Sequence, residues 1–126
     1  MKKRSIEDDL AFIETMIYHA QVAIGILEKA SKYNIPFEDE MVIDSIAMNI
    51  GQIGEQLDSK KLSEEIQRKY ADLLEWSEIK KFRDKAYHHY GNMDRRLILG
   101  LVKNQLPKLI DNLQFIKIEI EKTLSE

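Results

Sequence analysis

The sequence predicts an all-α protein, an antiparallel bundle of four to five helices, and three observations carry that reading. Apolar residues recur at three- and four-residue steps through most of the chain. No alternating apolar–polar run of useful length offers a strand. The helical rhythm is interrupted at turn-forming residues: Tyr33-Asn34-Ile35-Pro36, Asp58-Ser59-Lys60 and Gly91-Asn92.

Ser5, with Asp8 three residues later, resembles a capping box and starts a helix to about Ser31. Its inward positions are Ile6, Leu10, Ile13, Ile17, Ala20, Ile24 and Leu27. Pro36 cannot continue a helix. A second helix spans roughly 38–57, with Val42, Ile46, Ile50, Ile53 and Leu57 inward, and its Gly51 and Gly54 mark close approach by a neighbour. A short helix follows over about 63–70. Next comes a helix from Trp76 to Tyr90, ended by Gly91 and Asn92, which tolerate left-handed backbone. Asp94 caps a long last helix through Ile98, Leu101, Leu106, Leu109, Leu113, Ile116 and Ile120, which Pro107 kinks or breaks. Residues 1–126 form a single domain, without internal repeat or low-complexity linker.

The 126 residues, 44% of them hydrophobic, suffice for one core. The chain has no cysteine, which excludes disulfides and thiolate metal sites. Its three histidines do not suggest a structural metal either, and no cofactor is expected. The uncharged run from Thr15 to Leu27 is too short to span a membrane, and the N-terminus is no signal peptide, so a cytoplasmic location is expected. The net charge of −3 does not advertise nucleic-acid binding. Locally the balance reverses: Trp76 to Arg96 holds six Lys and Arg against three Asp and Glu. Tyr18, Met41, Met48 and Phe115 lie off the core stripes, which suggests either a self-association surface or a wide core.

The densest polar chemistry lies in Trp76–Tyr90. At about 100° per residue, Trp76, Ile79, Phe82, Ala86 and Tyr90 form one apolar stripe. Arg83 falls inside that stripe, so it should pair with a carboxylate or open onto a cleft. His88 lies nearly opposite, and His89 on the edge. Arg83 and His88 are about 140° apart around one helix and roughly 7.5 Å apart along it. A straight helix does not aim both at one small substrate atom. Either the last turn is distorted, or two copies of the helix meet across a dimer axis; the composite site is preferred.

Arg83-Asp84-Lys85-Ala86-Tyr87-His88-His89-Tyr90 fits Arg-x4-His-x-Tyr. With Ile53-Gly54-Glu55, Trp76 and Leu106-Pro107-Lys108-Leu109, the chain resembles the HEPN superfamily over nearly its whole length, and specifically the HepT-like toxins of MNT–HEPN toxin–antitoxin pairs. The resemblance implies a homodimer that cleaves RNA without metal, with Arg83 and His88 catalytic. It also implies an MNT-type nucleotidyltransferase antitoxin that silences the type VII-like toxin by AMPylating Tyr90. Asp84, Lys85, Tyr87 and His89 are supporting substrate-site candidates, as is Glu55, which would orient Arg83 from the neighbouring helix. Histidine is the better reading as a structural residue at position 89, and His19 is read as an ordinary helix residue. Asp84 departs from the asparagine common there in the family. The alternative is a non-catalytic HEPN module that binds nucleotide or RNA, or serves a nucleotidyltransferase.

Overall fold

A computed structural model describes residues 5–57, 61–88 and 95–126. Among these residues the chain is helical and contains no strand. Helix α1 covers Ile6–Lys32 and α2 covers Glu40–Glu55. The short α3, Glu64–Lys69, precedes α4, Trp76–Lys80, and α5, Phe82–His88. Helix α6, Arg95–Gly100, runs through a π-helical segment, Leu101–Gln105, into α7, Leu106–Ser125. With α4–α5 taken as one interrupted helix and α6–α7 as another, the described residues form five helices, within the four to five that the periodicity predicts.

The helix starts follow from their caps. The Asp8 amide donates to Ser5 Oγ at 3.2 Å, as the capping box requires. Asp39 Oδ1 accepts from the Met41 amide at 3.0 Å, and Ser63 Oγ from the Ile66 amide at 3.2 Å. Asn34 takes the left-handed conformation, φ 57°, in the turn that leads to Pro36.

Helix α1 packs on α2 and α7, and α2 packs on α5. All the inward positions read from α2 are buried, as are those read from the last helix. In α1 the centre shifts: Ile13, Met16, Ile17, Ala20 and Ala23 are buried, whereas Ile6, Leu10, Ile24 and Leu27 are only partly covered. Asp9 is buried as well. Its carboxylate accepts from the Ser63 amide at 2.9 Å and from Ser63 Oγ at 2.7 Å, which ties α1 to the start of α3. Helix α1 is long and apolar enough to cross a membrane by length and composition, a wider reach than the run from Thr15. Its buried side chains are also the centre of the bundle, and a core helix passes the same test.

Two expectations are refined. The segment from Trp76 is interrupted at Lys81, where α4 ends and α5 begins. Pro107 does not break the last helix. Lacking an amide hydrogen, it cannot bond the Lys103 carbonyl four residues back, and the chain widens into the π turn just before it. Pro107 itself sits in the first turn of α7, where a missing amide hydrogen costs little.

Candidate active site

The site is built where α2 and α5 cross closely. A Cβ on Gly54 would lie 2.7 Å from the Arg83 amide nitrogen and 3.1 Å from the Lys80 carbonyl oxygen. A Cβ on Gly51 would lie 3.2 Å from Ala86 Cβ. Gly54 thus lets α2 settle against the backbone at the α4–α5 junction, and Gly51 eases the contact one turn along. The pairing of 54 with 83 and 51 with 86 makes the two helices antiparallel neighbours.

Close approach sets the position of Arg83. Glu55, next to Gly54, brings Oε2 to 3.1 Å from Arg83 Nε, and that nitrogen is shielded from solvent. The two side chains are 26% and 38% exposed, so the pair sits at the mouth of the α2–α5 seam rather than in the core. Lys61 Nζ stands 3.9 Å from the other Glu55 oxygen. One carboxylate therefore lies between two cations, and the guanidinium is held against α2.

The apolar stripe behind the arginine forms as read: Trp76, Ile79, Phe82 and Ala86 are buried. Trp76 Nε1 has no hydrogen-bond partner among the described residues. Asp84 is exposed, so it points away from the seam that holds Glu55. Lys85 is half-buried, with Nζ 5.8 Å from the centre of the Phe82 ring, an exposed-type cation–π contact. His88 is the last residue of α5, so Arg83 and His88 share one uninterrupted helical stretch; the interruption at Lys81 lies before both. The angular separation between them stands. The expectations for the side chains of Tyr87 and His88, for His89 and Tyr90, and for the Gly91-Asn92 stop and the Asp94 cap fall outside the described residues.

His19 is more than a plain helix residue. Asn49 Nδ2 donates to the Ser45 carbonyl at 2.8 Å, which leaves its Oδ1 to face His19 Nδ1, also at 2.8 Å. Nδ1 must then carry the proton. The role is structural, since Asn49 is buried between α1 and α2. Sequence reasoning missed this pair and the Asp9–Ser63 tie. Each joins residues thirty or more positions apart, so no local spacing signals it. Among the described residues no three His, Asp or Glu side chains gather as metal ligands.

Residues 6–116 match the family model described as Ribonuclease HepT-like. The chain belongs to the HepT-like ribonuclease family. The match spans α1 to the middle of α7 and so includes Glu55, Arg83 and His88. Neither the curated proteins nor the solved structures yield a match. The all-helical bundle is what membership in a HEPN-type family requires of the chain.

Proposed function

We propose that the protein is a toxin that cleaves RNA without a metal ion, with Arg83 and His88 as the catalytic pair. The observation that carries this reading is the Arg83–Glu55 pair, at 3.1 Å beside a glycine that admits no side chain. A guanidinium fixed at a solvent-accessible seam supports this reading, because it is oriented to take phosphate oxygens. Family membership supplies the reaction class.

The reaction needs two proton transfers and charge neutralisation. The ribose 2′-oxygen loses its proton and attacks the adjacent phosphorus, the bond to the departing 5′-oxygen breaks, and that oxygen takes a proton. The product carries a 2′,3′-cyclic phosphate. An imidazole, as on His88, can serve as the acid or the base in either transfer. Arg83 binds the phosphate oxygens and offsets the charge that grows on them in the transition state. The 140° offset within α5 is closed by a second protomer, so that Arg83 and His88 of different subunits meet in one cleft. The exposed Tyr18, Met41, Met48 and Phe115 offer apolar surface for such self-association. Tyr90 is the site at which an MNT-type nucleotidyltransferase adds AMP; bulk and negative charge there would shut out RNA.

The test is cleavage of RNA by the purified protein in EDTA, beside Arg83→Ala and His88→Ala. Wild-type cleavage should fall by at least about a hundredfold in each variant, as for loss of a general acid–base or a phosphate-binding group. RNA binding without cleavage would overturn the enzyme and leave a non-catalytic HEPN module. The exposed carboxylate of Asp84, beside Arg83, favours that second reading.

A further inference from the structure

A pocket of about 220 Å³ opens between α4 and the π segment with α7. Its floor is apolar: Leu74, Ile79, Phe82 and Leu109, all buried. Three amides line one wall, Asn104, Gln105 and Asn112, with Lys108 among them. Gln105, Lys108 and Asn112 stand at steps of three and four on one helix face. Asn104, like Gln105, belongs to the π turn that precedes Pro107. Wide turns of this kind recur at functional sites. The facing wall carries Glu75 and Glu78, and Glu78 also holds Lys81 Nζ at 3.2 Å.

We infer that this pocket takes one unstacked nucleobase of the RNA substrate, and one bearing an exocyclic amine. The inference rests on the ribonuclease reading, which it deepens by giving the enzyme a base preference. The volume lies below the roughly 300–1,000 Å³ of pockets for whole drug-sized ligands, and suits a single ring system. The floor gives the flat face of a base an apolar surface to lie on, with the Phe82 ring buried beneath it. Side-chain amides present donor and acceptor together and match base edges. The two carboxylates repel a phosphate but accept hydrogen bonds from an amine, as on cytosine N4 or adenine N6. Uracil has oxygens at the corresponding edge and meets those carboxylates with lone pairs. The location fits as well: Phe82 forms part of the floor, and Arg83 follows it directly on α5, its Cα about 3.8 Å away.

The experiment has two arms. In the first, adenosine, cytidine and uridine are titrated separately into isotope-labelled wild-type protein, and the side-chain amide signals of Asn104, Gln105 and Asn112 are followed by NMR. Cytidine or adenosine should shift these signals at least about tenfold more tightly than uridine, the discrimination of one good base contact. Asn104→Ala and Asn112→Ala, both away from the core, should abolish the shifts while leaving the rest of the spectrum intact. In the second arm, oligoribonucleotides that differ by one base are cleaved. Wild type should disfavour uracil at one position by a similar factor, and both variants should lose that preference. Arg83-dependent cleavage with no base preference, or nucleosides that leave the amides unmoved, overturns the pocket while the nuclease stands. Amide shifts in a protein that cuts no RNA keep the pocket as a base site and sink the nuclease.

Discussion

Asp84 is exposed on α5, next in sequence to an arginine that Glu55 grips from the other side. The two carboxylates act differently on the same guanidinium. Glu55 orients it, whereas Asp84 adds an exposed negative charge beside it, which on the ribonuclease reading opposes an RNA phosphate. Asp84→Asn should therefore raise cleavage by about two- to fivefold, the scale of one exposed charge interaction, with a larger effect at low salt. A drop in initial rate would show that the carboxylate serves the reaction. Tyr70 offers a second residue-scale test, away from the site. Burial, with its hydroxyl donating to Glu119 Oε1 at 2.8 Å, pushes its pKa from 10.0 up to about 12. The unfolded phenol ionises more readily than the folded one, so this contribution to stability is intact below pH 10 and drains away as pH rises towards 12. Thermal melts of wild type should fall steeply over that window. Tyr70→Phe should lose about 0.5–1.5 kcal/mol at neutral pH and show a flatter decline.

At the scale of elements, the contact between α2 and α5 decides where the arginine stands. Gly54→Ala puts a methyl 2.7 Å from backbone, which cannot rotate away, so α5 must shift. It should cost about 1–3 kcal/mol and reduce cleavage by up to about a hundredfold through misplacement of Arg83. Gly51→Ala meets only the Ala86 methyl at 3.2 Å, and gains about 1 kcal/mol of helix propensity. Urea melts and cleavage rates should stay near wild type there. Both glycines were legible as close-approach points, and so was the arginine's need for a carboxylate, because each residue type is costly unless its surroundings answer it. The interruption at Lys81 was not legible: no proline or glycine marks it, and it coincides with the place where Gly54 leaves room for the Lys80 carbonyl. Pro107 announced a distortion but not its kind, since a π turn depends on which neighbours the helix must keep. The base pocket draws on three separate stretches, so no window of sequence contains it.

For the whole molecule, the strongest claim is that Arg83 and His88 work across subunits. Mixing the Arg83→Ala and His88→Ala proteins tests it. In a two-fold dimer of the two variants, one of the two sites regains both residues. With random exchange, half the dimers are mixed, and activity should return to about a quarter of wild type. No recovery after subunit exchange would place both residues in one protomer's site. Helical periodicity gave the bundle readily, because every long helix buries one stripe. It could not give the pairing of α1 with α7, for amphipathic stripes do not name their partners. That pairing has a consequence during synthesis. Helix α1 is synthesised before α7, and the side of it that packs on α7 stays bare until that helix has emerged. Chains cut short before α7 by a stalled ribosome or an early stop keep an uncovered apolar face on α1, which leaves them open to aggregation and proteolysis.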